Sequence, residues 1–296
     1  MKNIFKCAAL FCAFSANANS LHCPEGFFLV EGGSTVGLGS VMNTEGVAPF
    51  CVAKYEMKCE SDASGLGCSQ DDTPLSQAQN KPWTKVTRDD AANACAKLSS
   101  DELTGKLISN SQWMIIARDI ESQPENWNSG IVGVGMLAVG HSDDISSYDK
   151  ALAASSDDNP YAGTKNSENQ GPRKGWEQKR THVLSSGDVI WDLGGNVLEW
   201  VSDEKLSIGY NDLVPGTSLD SSKLSDEDRL LLGSVNPSLN RKNGVGVISL
   251  DQDDEVGILR GGGWEFGLHA GIYGANIGNI SNKVNEYHGF RCILEK

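Results

Sequence analysis

Residues 189–203 read VIWDLGGNVLEWVSD, and their reading governs that of the whole 296-residue chain. Asp192 and Glu199 are oxygen donors, and Gly194 and Gly195 between them let the backbone turn tightly and aim carbonyls inward. Such a loop suits a hard cation, because calcium takes about six to eight oxygens from carboxylates, backbone carbonyls and water. A Gly-Gly turn between two strands accounts for the same residues, and the stretch alone does not choose between them.

Upstream, APFCVAKYEMKCE (48–60) alternates apolar and polar positions as a half-buried strand should, with Phe50, Val52, Tyr55 and Met57 supplying apolar and aromatic contacts. TRDDAANACAKL (87–98) starts with Thr87 as N-cap and Asp90 three residues on. Its expected helical face carries Ala91, Ala94, Cys95 and Leu98. SNSQWMIIARDI (109–120) repeats the signal with Ser109 and Gln112, and places Trp113, Ile116, Ala117 and Ile120 on one face. Long stretches near 121–180 and 204–247 are rich in Gly, Asn, Asp and Ser, apart from a short helical candidate at 225–232. Loops of that length are normally functional or held by ions and cross-links. The fold class expected is therefore α+β, a few strands and two helices carrying long ordered loops.

The first 18 residues have the form of a secretory signal peptide: Lys2 and Lys6, an apolar run over 7–14, then Ala16-Asn17-Ala18. A single domain is expected over 19–296, exported to the periplasm, the cell surface or the medium, with no membrane-spanning segment. Cys23, Cys51, Cys59, Cys68, Cys95 and Cys292 remain, and an even number in an exported chain reads as disulfides. Six cysteines allow fifteen connectivities. The net charge of −14 excludes a nucleic-acid partner, whose phosphates need a basic face.

WDLGGNVLEWV, the later LRGGGW (259–264) and the terminal GFRC (289–292) together resemble the sulfatase-modifying-factor domain, also called the formylglycine-generating-enzyme domain, a variant of the C-type-lectin fold. FCVAKYEM, VTRDDAANACAKL and KLISNSQWMIIAR resemble that family's early blocks, in the family's order. The resemblance implies a structural calcium ion held by the side chains of Asp192 and Glu199 and the carbonyls of Gly195 and Val197. It also implies a disulfide from Cys95 to Cys292, leaving Cys59 with Cys68 and Cys23 with Cys51. A bridge closing so long a loop is worth on the order of 4 to 5 kcal/mol in chain-entropy terms.

Enzymes of this family oxidise a substrate cysteine with copper held by two cysteines after the Gly-Gly motif, since copper(I) needs soft thiolates. Those positions fall here on Phe266 and Gly271, and 261–290 contains no cysteine, so no copper is expected. The iron-dependent branch uses a histidine-rich helical domain, and His22, His141, His182, His269 and His288 show no i, i+4 spacing. No nucleophile elbow, P-loop or dinucleotide fingerprint stands in the chain.

GGGWEFGLHAGIYGANIGNISNKVNEYHGFRC (261–292) instead resembles the C-terminal variable region of lectin-fold proteins diversified by retroelements. Trp264, Glu265, Phe266, Leu268, His269, Tyr273, Asn276, Asn279, Asn282, Asn285, Tyr287 and His288 are its expected ligand face. Aromatics with Asn, Ser and Gly are what adaptable binding surfaces use. The function implied is a secreted recognition or adhesion protein for an unknown protein or glycan. The alternative is a formylglycine-generating oxidoreductase or accessory factor with an atypical site.

Overall fold

The helices begin where their caps stand. Thr87 Oγ1 accepts from Asp90 N at 3.1 Å and opens α1 (Arg88–Ala96). Ser109 and Gln112 form a reciprocal box, Ser109 Oγ accepting from Gln112 N at 3.2 Å and Gln112 Oε1 from Ser109 N at 2.9 Å, which opens α2 (Asn110–Ser122). Ala91, Ala94 and Cys95 on α1 and Trp113, Ile116, Ala117 and Ile120 on α2 are buried, whereas Leu98 lies past the end of α1 and is half-buried. A third helix, α3 (Asp226–Leu232), follows the Ser225 cap and packs against α2.

The structure, a computed structural model, describes residues 21–33, 46–142, 150–154, 159–164, 177–204, 216–250, 257–278 and 282–296. The expected leader at 1–18 and Asn279 lie outside these. The described strands are β1 (Phe27–Val30), β2 (Phe50–Ala53), β3 (Thr104–Leu107), β4 (Thr181–Val183), β5 (Val189–Trp191), β6 (Leu198–Trp200), β7 (Thr217–Asp220), β8 (Val247–Leu250), β9 (Ile258–Arg260), β10 (Ala275–Ile277), β11 (His288–Phe290) and β12 (Cys292–Glu295). They form a four-stranded sheet in the order β1-β2-β12-β3, a six-stranded sheet in the order β11-β6-β9-β10-β8-β7, and a β4-β5 hairpin. The fold is α+β, with more strands than the pattern suggested. Strands of three or four residues are too short to show periodicity.

The strand expected to be half-buried is central instead. β2 lies between β1 and β12, so Phe50, Cys51, Val52 and Ala53 are all buried, on both faces of the sheet. The Gly-Gly stretch is not a hairpin turn either. β5 pairs with β4, while β6 pairs with β9 and β11, so residues 192–197 cross from the hairpin into the six-stranded sheet.

The core forms two main clusters. Trp113 anchors the first from α2, and its indole Nε1 donates to Ile272 O at 2.8 Å, tying the helix to the glycine-rich C-terminal stretch. Trp200 anchors the second, with Nε1 donating to Val86 O at 3.0 Å in the approach to α1. Disulfides join Cys23 to Cys51, Cys59 to Cys68 and Cys95 to Cys292. The last spans 197 residues and fastens α1 to β12, whereas Cys59–Cys68 spans 9.

Because loop entropy grows with the length closed, removing Cys95–Cys292 by paired alanine substitution is expected to cost about 5 kcal/mol, roughly twice the cost of removing Cys59–Cys68. Denaturant melts of the two double variants check this, and an equal or smaller loss for Cys95–Cys292 contradicts it.

Candidate functional site

The crossover loop holds an unusual backbone. Asp192 (φ 54°) and Asn196 (φ 58°) both adopt the left-handed region, which costs a side-chain-bearing residue energy unless its surroundings enforce it. At Gly195 (φ 74°) a Cβ would lie 2.6 Å from the His141 carbonyl oxygen, so only glycine fits. Neighbouring segments supply the enforcement. Gly195 N donates to Gly261 O at 3.0 Å, Asn196 N to His141 O at 2.8 Å, and Trp264 N to Asn196 O at 3.0 Å.

Around the loop stand three carboxylates and three basic groups, each at most 3 % exposed: Glu56, Asp192 and Glu199 with Lys58, Arg180 and Arg291. Arg180 binds Asp192 in a fork, Nε to Oδ1 at 2.7 Å and Nη2 to Oδ2 at 2.6 Å. Arg291 binds Glu199 likewise, Nη2 to Oε1 at 2.6 Å and Nε to Oε2 at 3.0 Å. Burial acts to raise the Glu199 pKa, and the Arg291 charge opposes it. Burial first, then the Asp192 charge, push Glu56 up to about 8, and burial draws Lys58 down to about 8. Both Glu56 oxygens nevertheless accept from N–H donors, Val197 N at 3.1 Å and Asn196 Nδ2 at 2.5 Å, with Lys58 Nζ 3.8 Å away. Those surroundings are built for the ionised carboxylate.

The donor set therefore does not fit the calcium ion that the family resemblance implies. Asp192 and Glu199, its expected side-chain ligands, are each engaged through both oxygens by a guanidinium. The acids of the cluster are already matched one for one by bases, so a divalent ion would add two uncompensated charges to a buried space. Among the described residues no group of three His, Cys, Asp or Glu side chains gathers at metal-binding distance.

The expected ligand face divides into scaffold and surface. Trp264, Tyr273 and His288 are buried at 3 %, 0 % and 2 % exposure and belong to the interior. Tyr273 donates from its hydroxyl to Glu121 Oε2 at 2.6 Å, Trp264 packs on Val197 and Ala151, and His288 packs edge-on against Trp200 at 5.2 Å. Their aromatic character in a glycine-rich run resembled a binding surface, but each fills the core beneath one. Glu265, Phe266, Leu268, His269, Asn276, Asn285 and Tyr287 are partly exposed, and Asn282 is exposed. Phe266 and Tyr287 meet edge to face at 6.2 Å, and Tyr287 also meets Trp264 at 5.8 Å. Arg241 pairs with Asp220 at 2.9 Å and meets His269 Nε2 at 3.0 Å. Phe266, His269 and Asn276 line a small recess with Val247 and Ser249. The Asn276 Oδ1 atom itself is buried and has no hydrogen-bond partner.

Sequence reasoning missed Glu56, Lys58, Asn196 and Arg180. Glu56 and Lys58 alternate with Tyr55 and Met57, which signals solvent, whereas both side chains are buried in the ion cluster. Arg180 stands at the end of the long Gly-, Asn-, Asp- and Ser-rich stretch, with no local pattern to mark it.

Residues 39–296 match the model of the sulfatase-modifying factor enzyme 1-like domain. The chain belongs to that family. Solved structures similar to this sulfatase-modifying-factor chain include PvdO from Pseudomonas aeruginosa, with 16 % identity over 91 % of this chain and 92 % of that one and a TM-score of 0.39. CarF shares 14 % identity over 91 % of this chain and 98 % of its own, with a TM-score of 0.43. Treponema denticola variable protein 1 shares 13 % identity over 90 % and 92 %, with a TM-score of 0.36. No curated protein matches the chain. Among the described residues no helix is long and apolar enough to cross a membrane.

Beside the loop, β4 carries His182, fully buried, with Nε2 2.9 Å from Ala138 O and Nδ1 without a partner. Burial holds its pKa down to about 4. The unfolded chain gains this proton near pH 6.5 and the folded chain only near 4, so the stabilisation is complete above 6.5 and lost as pH falls through that window. The expected loss is roughly 3 kcal/mol. His182→Gln should flatten stability between pH 6.5 and 4 in urea melts, and an unchanged slope would remove this assignment.

Proposed function

We propose that the protein is an exported recognition protein of the non-catalytic branch, binding a protein or glycan through the surface that Phe266 and Tyr287 centre. The carrying observation is the substitution of both positions where the family's copper cysteines fall. Phe266 is half-buried against Tyr287, and Gly271 (φ 146°) is walled in by backbone. A Cβ at 271 would stand 2.5 Å from Gly244 O and 2.6 Å from Gly246 N, which leaves no room for a thiol-bearing side chain. Two thiolates cannot converge there without rebuilding the loop, and that geometry supports binding over oxidation.

The surface has the chemistry of a recognition site. Phe266 and Tyr287 offer rigid aromatic area, and His269, Asn276, Asn282 and Asn285 surround them with hydrogen-bonding groups. Beneath, the buried Trp264 and His288 rings each meet Tyr287 edge to face and fix its orientation.

Two measurements bear on this reading. A glycan array and intact bacterial cells probed with the purified protein should show binding that Phe266→Ala and Tyr287→Ala each weaken by about tenfold or more, with the circular dichroism spectrum retained. Copper-loaded protein incubated with a Cys-x-Pro-x-Arg peptide should form no more aldehyde than a metal-free control, and turnover above that control overturns the reading in favour of a formylglycine-generating oxidoreductase.

A further inference from the structure

We propose that Arg180 is a built-in cation that does for the crossover loop what a bound metal would do, so that this chain folds without calcium. The guanidinium is fully buried, and every one of its N–H donors meets an oxygen. Nε and Nη2 reach the two oxygens of Asp192 at 2.7 and 2.6 Å. Nη1 donates to Ala153 O at 2.9 Å and Ala162 O at 3.1 Å, and Nη2 also donates to Leu152 O at 3.2 Å. One carboxylate and three backbone carbonyls are the donor chemistry of a hard-cation site, here arranged around a planar fork. The guanidinium carbon also lies over the Trp191 ring, 5.5 Å from its centroid.

The guanidinium fastens two stretches outside the crossover loop to the loop's first residue. Ala153 and Ala162 come from stretches otherwise poor in regular structure, and Asp192 begins the crossover. The backbone repeats the link, Arg180 N donating to Pro160 O at 2.8 Å and Asp192 N to Arg180 O at 2.7 Å. Asn196, at the far end of the loop, exchanges bonds with the same segment, accepting from Leu152 N at 2.8 Å and donating to Leu152 O at 3.2 Å. Unlike a metal, a side-chain cation does not dissociate, and its single charge matches the single carboxylate it meets. Arg291 on Glu199 and Lys58 beside Glu56 complete the balance.

The test compares melting temperatures of the full-length exported protein in excess chelator and in millimolar calcium. Wild type should melt at the same temperature in both, and metal analysis of the purified protein should find substoichiometric calcium. Arg180→Ala strips the cation from a carboxylate and three carbonyls, and should melt lower by roughly 10 °C or more. Added millimolar calcium or guanidinium should recover part of that loss. A chelator-sensitive wild-type melt, stoichiometric calcium in wild type, or an Arg180→Ala melt that neither cation moves would overturn the proposal. Should Arg180→Ala not fold at all, the wild-type chelator and metal measurements decide the question alone.

Discussion

The pair formed by Arg291 and Glu199 is the constraint on which the rest of the molecule hangs. Arg291 is the single residue between β11, the edge of the six-stranded sheet, and β12, in the interior of the four-stranded one. Its guanidinium reaches all three sheets. It holds Glu199 of β6 in a fork, donates from Nη1 to Ala53 O of β2 at 3.0 Å, and donates from Nη2 to Trp191 O of β5 at 2.9 Å. A charge so buried is tolerated only because almost every donor is met, and breaking it on one side would strand the other. The next residue, Cys292, is bonded to α1, so electrostatic and covalent fastening act at adjacent positions.

The polar cluster gives the loop its shape and thereby sets the surface. The crossover loop carries two non-glycine residues at positive φ, a conformation that persists only where neighbours over-determine it. Those neighbours are Glu56 through Val197 and Asn196, Arg180 through Asp192, and Trp264 through Asn196 O. Trp264 is also the floor beneath Tyr287, which with Phe266 forms the aromatic centre of the outer surface. A chain of direct contacts therefore runs from the buried ions to the partly exposed rings.

Much of the frame was legible in the sequence where local chemistry signals it. Thr87 and Ser109 announce their helices, Trp113 and Ile116 announce the buried face of α2, and WDLGGNVLEWV announces a tight glycine loop between strands, though not that it crosses from one sheet to another. What stayed hidden is non-local. Arg180 acquires its meaning from Asp192 and from carbonyls at 152, 153 and 162, none of which shares a periodic pattern with it. Glu56 and Lys58 obey strand alternation, yet the side they face is an ion cluster. Trp264, Tyr273 and His288 were placed with the ligand face because an aromatic among glycines looks the same whether it points in or out. The strands of three and four residues escaped for a simpler reason: so few positions cannot display a period.

The most direct test of this architecture is a double-mutant cycle on Arg291 and Glu199, using Arg291→Met, Glu199→Leu and the double variant, with unfolding free energies from denaturant melts. If the pair is the link between the sheets, each single variant should lose several kcal/mol, and the double variant should recover enough to give a coupling of about 2 kcal/mol or more. Losses that add to within about 0.5 kcal/mol would show that the two side chains act independently, and would contradict their assignment as the joint on which the three sheets depend.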